Sequence, residues 1–247
     1  MERATLRGRL NWQAATVVEV VEETARTKSL GLDPPDWPGH RAGQHVDVRL
    51  TAEDGYQAQR SYSIASAPED DHLVLTVERL DDGEVSPYLV DELRPRDELE
   101  LSGPIGGYFV WDESLGGPLL LVAGGSGIVP MRSMLRHHQA IGSSVPLRLL
   151  YSARSLDDVI YRDELMRDKP NADIRFTLTR EWPETWSGYR RRIDDALLAE
   201  VTWPSGESPL TYVCGPTSFV ETAAAALVAL GHDAKRIRTE RFGPTGS

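Results

Sequence analysis

The sequence predicts two domains, an antiparallel β-barrel followed by an α/β domain with a parallel sheet, and three observations lead there. The chain has 247 residues, more than one ordinary domain and fewer than three. From Trp12 to about Leu101, apolar and polar residues alternate with a period of two between turn signals. After Gly116-Gly117-Pro118 the rhythm changes to unbroken apolar runs separated by amphipathic stretches. The change puts the boundary near Asp112 to Pro118, dividing the chain into residues 1–112 and 113–247.

In the first part, Ala15–Val21, Gln44–Leu50 and Leu73–Leu80 read as strands. Asp33-Pro34-Pro35, Pro38-Gly39, Asp54-Gly55 and Asp81-Asp82-Gly83 supply the turns between them, and such spacing suits a closed barrel better than a layered sheet. Ser86–Leu93 is its one helical candidate. In the second part, Leu119–Ala123, Leu147–Tyr151, Ile174–Thr179 and Leu210–Cys214 are apolar enough to be strands buried on both faces. Helices are expected at Pro130–Ile141, Asp157–Met166, Ile193–Glu200 and Phe219–Leu230, the last with a run of alanines at 223–226 that suits close packing.

Composition excludes several functions. Hydrophobic residues at 40% and charged residues at 26% are those of a globular chain with proper cores. A net charge of -11 repels phosphate backbones, so no nucleic-acid partner is expected. Cys214 is the sole cysteine, which leaves no internal disulfide, no CxxC pair and no four-cysteine iron–sulfur site in these residues. Met1–Asn11 is charged and lacks the apolar core of a signal peptide, and no apolar run approaches the roughly 18 residues of a membrane helix. The expectation is a cytoplasmic monomer without a membrane span. His137 and His138 are neighbours and point about 100° apart on a helix, so they do not pair as ligands, and no bound metal is expected.

Five short stretches could carry chemistry. Leu119–Ala123 runs into Gly124-Gly125-Ser126-Gly127-Ile128-Val129-Pro130, a strand, a glycine turn and a helix start. Glycines let backbone approach a pyrophosphate, a helix N-terminus supplies free N–H donors, and Pro130 suits the first helical position, although a tight turn without a ligand is the alternative. At the tip of the next strand, Ser152 and Arg154 stand where an acid would hold a ribose 2′-hydroxyl and an arginine a 2′-phosphate. Arg154, reinforced by Arg180, favours NADPH and leaves NADH open, while simple solvation is the default for a loop arginine.

Arg60-Ser61-Tyr62-Ser63 joins a fixed cation, an aromatic face and two hydroxyls, all of which a flavin can use, or it is an ordinary half-buried strand. Gly83-Glu84-Val85-Ser86-Pro87 opens a helix and offers a second anion site, or a plain N-cap. Cys214-Gly215-Pro216 ends a predicted parallel strand at the ligand-binding edge, where a structural cysteine is also common.

Taken in chain order, RSYS at 60–63, GEVS at 83–86, GGSGIVP at 124–130 and CGP at 214–216 resemble the ferredoxin–NADP reductase superfamily over nearly the whole chain. The resemblance implies that Arg60 holds an FAD phosphate, that Tyr62 packs on the flavin and that Ser63 approaches N5. Ser61 falls within that motif, and Gly83, Val85 and Ser86 would cradle the pyrophosphate. Gly124, Gly125, Ser126, Gly127 and Pro130 would take the nicotinamide dinucleotide, with Cys214, Gly215 and Pro216 beside the nicotinamide. Glu240-Arg241-Phe242 is similar to family tails in which an aromatic ring covers the flavin, which makes Phe242 the gate and Glu240 a proton relay.

The implied enzyme moves hydride from NADPH or NADH to FAD, then single electrons to an external acceptor such as an iron–sulfur protein. A reductase of free flavin or ferric chelates is the first alternative, and a binding module without turnover the second. Arg190-Arg191-Arg192 and Lys235, Arg236, Arg238 and Arg241 could steer an acidic ferredoxin, although solvated faces explain them as well.

Overall fold

A long first strand, β1 (Trp12–Thr24), organises the N-terminal domain by pairing antiparallel with β2 (Thr27–Asp33) on one side and β6 (Glu98–Ile105) on the other. Register breaks after Val17 and Glu22 bend it, as bulges do, so one strand can turn a corner of a curled sheet. With β3 (His45–Thr51), β4 (Gln57–Ser63) and β5 (Leu73–Glu78) the order is β4-β3-β6-β1-β2-β5. The ends meet where Ile64 bridges Leu75 and the Ala65 N–H donates to the Val74 carbonyl at 2.7 Å, closing the barrel. Alternate residues point inward, among them Ala15, Val17, Leu30, Leu32, Val46 and Val48. The computed structural model describes residues 11–167, 169 and 171–243, so the charged N-terminal stretch before Asn11 and the tail from Pro244 to Ser247 lie outside it.

The second domain is a five-stranded parallel sheet in the order β11-β10-β7-β8-β9. Its strands are β7 (Leu119–Gly124), β8 (Leu147–Ala153), β9 (Ala172–Leu178), β10 (Leu210–Pro216) and β11 (Ile237–Phe242). Every residue of β7, the central strand, is buried, which its unbroken apolar run requires. Helix α1 (Ile128–Ala140) and the short α2 (Arg162–Leu165) cover one face, and α3 (Asp195–Val201) and α4 (Thr217–Ala229) the other. The α1-side core continues into the barrel domain through Ala42, Ala65, Phe109 and Trp111. Among the described residues no helix is long and apolar enough to cross a membrane.

Several elements differ from expectation. The helix expected over Asp157–Met166 shrinks to Arg162–Leu165, because Val159, Ile160 and Tyr161 are all buried and consecutive residues cannot share one helical face. Tyr161 takes the left-handed conformation at φ 59°, and the Ile160 N–H donates to the Tyr151 hydroxyl. The helix expected at Ser86–Leu93 is a single wide turn over Tyr88–Glu92 that plugs the barrel with Leu89 and Val90. Strands β2, β6 and β11 were not individually expected. β11 reads Ile-Arg-Thr-Glu-Arg-Phe, too polar for a central parallel strand, and it lies at the sheet edge.

Candidate active site

At the carboxyl edge of the parallel sheet, β7 ends in Gly124 and the turn Gly125–Gly127 leads directly into α1. A Cβ on Gly127 would stand 2.1 Å from the Cys214 carbonyl oxygen, so only glycine allows this approach of turn to strand. Gly125 has φ +54° and faces open space, so its backbone is accessible to an incoming group. No side chain caps the first turn of α1, leaving its N–H donors unclaimed by side chains. Ser126 is half-buried, and Pro130 is buried inside the first turn.

Across the sheet Cys214 aligns with Glu240, and Pro216 with Phe242. Cys214 is 2% exposed; burial, and next the neighbouring Glu240 carboxylate, push its thiol well above the usual range, so it is a neutral thiol. Burial likewise pushes Glu240 up to about 7, and its Oε2 has no hydrogen-bond partner. Phe242 is half-buried and packs on the α1-side core. Gly215 abuts the Phe219 ring, and Pro216 is exposed.

At the tip of β8, Ser152 aligns with Gly124. The Arg154 carbonyl accepts the N–H groups of Arg180 and Glu181 at 2.9 and 3.2 Å, which brings the two arginines of the dinucleotide edge onto adjoining backbone. Both are exposed, and neither enters an ion pair among the described residues.

On the barrel domain, β4 carries Arg60, Ser61, Tyr62 and Ser63. The Arg60 guanidinium donates to Glu84 at 2.6 Å, and the Tyr56 hydroxyl donates to the other oxygen of that carboxylate at 2.7 Å. The structure therefore brings the RSYS strand and the Gly83–Ser86 loop together. Burial raises the Tyr62 phenol, while its ring packs against the barrel core.

Ser61 is not part of this group, since its hydroxyl donates to Asp47 at 2.6 Å across the sheet. Ser63 is half-buried one position beyond Tyr62. Within the loop, the Ser86 hydroxyl accepts the Leu80 N–H at 3.0 Å, and Val85 is buried in the barrel core, so the loop can offer a ligand its backbone rather than those two side chains.

Four residues of the basic clusters brace the backbone around them. Arg236 donates to the carbonyls of Ser208 and Gly116, and Arg238 donates to those of Tyr108 and Val110 and to the Tyr212 hydroxyl. Arg190 donates to the Trp186 carbonyl, and Arg191 pairs with Glu200. These four guanidiniums brace the segment joining the domains and the loop after β9 while staying at the surface, and Arg190, Arg192, Lys235 and Arg241 are exposed. Sequence reasoning also missed Glu84, Phe219 and the side chains of α1. The one available signal was an acid placed inside an anion-binding motif.

Helix α1 also meets the barrel domain. Ser133 Oγ donates to the Ser66 carbonyl at 2.6 Å, and Arg132 Nη1 lies 3.5 Å from the Ala65 carbonyl. Arg136 joins Asp70 of the barrel to Glu164. The helix that begins at the glycine turn is thus bonded to the barrel segment that directly follows the RSYS strand.

The geometry fits the two groups that the motifs imply. An accessible glycine turn at a helix start that no side chain caps suits a pyrophosphate, and a cation, a packed aromatic ring and a backbone loop converge at β4. Residues 15–110 match the oxidoreductase FAD-binding domain family, and residues 121–225 the oxidoreductase NAD-binding domain family.

Among curated proteins, the chain is 32% identical over 236 residues to the glycine betaine monooxygenase reductase subunit of Chromohalobacter salexigens, an alignment that takes in 92% of this chain and 63% of that one. It is 37% identical over 210 residues to ferredoxin–NADP reductase B of Sorangium cellulosum, covering 81% of this chain and 84% of the relative. Among solved structures, the FAD/NAD-binding domain of a nitric oxide dioxygenase from Vibrio cholerae superposes with a TM-score of 0.84 at 26% identity, covering 94% of this chain and 99% of that one. With both domain families matched in order and a ferredoxin–NADP reductase covered over most of its length, this chain belongs to the ferredoxin–NADP reductase family of FAD- and nicotinamide-dinucleotide-binding oxidoreductases.

Proposed function

We propose that this chain takes hydride from NADPH, with NADH as the weaker donor, and delivers electrons singly to an external acceptor protein. The observation that carries the proposal is the bonding of α1, which starts at the Gly125–Gly127 turn, to the barrel segment directly after the strand bearing Arg60, Tyr62 and Ser63. We assign residues 1–112 to the flavin and 113–247 to the dinucleotide. FAD, when bound, supplies the conversion of a two-electron hydride into one-electron steps.

The protein's own work is placement. Arg60 holds a phosphate once Glu84 yields it, and the backbone of Gly83, Val85 and Ser86 lines the same anion. Tyr62 packs against the ring system, and Ser63 hydrogen-bonds its N5 edge. Gly124, Gly125, Ser126, Gly127 and Pro130 receive the dinucleotide phosphates, while Ser152, Arg154 and Arg180 contact the ribose end, the two free guanidiniums favouring a 2′-phosphate. Cys214, Gly215 and Pro216 form the wall beside the nicotinamide. Glu240, raised by burial to about 7, can take up or release a proton near neutral pH, and Phe242 would cover the flavin ring.

Two observations support an external acceptor. The single cysteine leaves no iron–sulfur site in these 247 residues, and the relatives include reductase subunits of monooxygenases. The chain spans 63% of the Chromohalobacter relative's length, so the acceptor arrangement of the longer proteins is proposed here rather than transferred.

The test is a visible spectrum of the purified protein followed by anaerobic additions of each nicotinamide donor. A yellow protein bleached more readily by NADPH, and reoxidised by an iron–sulfur acceptor, meets the proposal. Turnover with free flavin or ferric chelates alone would replace it with a small-acceptor reductase.

A further inference from the structure

We infer that Arg132 and Ser133 are positioning residues for hydride transfer, fixing the flavin-side strand against the helix that begins at the dinucleotide turn. The inference rests on the function proposed above. Both residues lie in the second turn of α1, about 8 Å along the helix from Gly127 at its usual rise. Their acceptors, the carbonyls of Ala65 and Ser66, follow Ser63 after only Ile64, which is itself locked to Leu75. Only Ile64 and Ala65 separate the Ser66 contact from Ser63, the last residue of β4.

The contacts are dry and directional. Ser133 is fully buried and Arg132 is 8% exposed. Arg132 is also held from its own domain, since Nε donates to Glu164 at 2.9 Å and the guanidinium lies 4.4 Å over the Tyr161 ring. The Tyr161 hydroxyl in turn donates to Thr76 of the barrel. Apolar packing alone could bury this surface and still let the domains slide, whereas the short Ser133 bond and the longer Arg132 contact, on successive carbonyls, fix the register. Hydride transfer is sensitive to such slippage, because a misplacement of about 1 Å can cost on the order of a hundredfold in rate.

The test compares Ser133→Ala and Arg132→Lys with the wild type, all loaded with FAD, in anaerobic stopped-flow mixing with NADPH. Flavin content and NADP+ affinity should stay within about twofold, while the bleaching rate falls about tenfold and the long-wavelength absorbance of the stacked nicotinamide–flavin pair weakens. Ser133→Thr, which keeps the hydroxyl, should recover most of the rate. Glu69→Gln, which loosens only the rim contact to His137, should change little.

Bleaching at the wild-type rate in both variants would overturn the inference. So would a loss of flavin or NADP+ affinity in step with the rate, or an equal slowing in Glu69→Gln. A wild-type flavin that NADPH cannot bleach would instead sink the proposed function, and this inference with it.

Discussion

Glu240 is a carboxyl group held by burial at about 7, with one oxygen lacking any partner, beside a thiol that cannot ionise at neutral pH. Its folded value lies above its unfolded one, so its contribution to stability is complete below about pH 4.5 and is lost as pH rises through 7. Glu240→Gln should therefore stabilise the protein at pH 8 by up to roughly 3 kcal/mol and change little at pH 4, as denaturant midpoints at the two pH values would show. Gly127→Ala should cost about 1–3 kcal/mol, because its Cβ would collide with the Cys214 carbonyl. Removing the Arg154 guanidinium by Arg154→Ala should reduce the preference for NADPH over NADH about tenfold, read from the two dissociation constants. An unchanged ratio would move the 2′-phosphate contact elsewhere.

At the scale of elements, much was legible because the physics is local. The apolar run of β7 followed by glycines needs no tertiary knowledge to be read as a buried strand and a tight turn, and both are present. Legibility failed where long-range contacts override pattern. Val159-Ile160-Tyr161 looked like part of a helix and instead forms a buried irregular segment that reaches across to Thr76. The arginines of β11 read as a solvated face with docking as the alternative, and Arg238 also donates to the carbonyls of Tyr108 and Val110, partners more than 100 residues away in sequence that no local reading could find. Arg238→Ala should accordingly lower the thermal midpoint by several degrees, since it strips hydrogen bonds from the segment that joins the domains. Along β4 neighbours alternate faces, and the Ser61 hydroxyl meets Asp47 across the sheet, a pairing that no local reading could find.

For the whole molecule, the barrel keeps a core of its own, and the α1-side core of the second half extends into the first through Ala42, Ala65, Phe109 and Trp111, reinforced by polar contacts. Such an interface predicts a single cooperative unfolding transition, and two separated calorimetric peaks would contradict it. Because Arg236 and Arg238 are braced inward, reversing charge there should damage stability before it alters acceptor recognition. The central claim is that the crevice between the domains passes hydride from a nicotinamide donor to FAD. Anaerobic titration of the FAD-loaded protein with NADPH tests this most directly. The account predicts that the visible flavin absorbance bleaches at about one equivalent; absorbance unchanged by excess NADPH and NADH would contradict it.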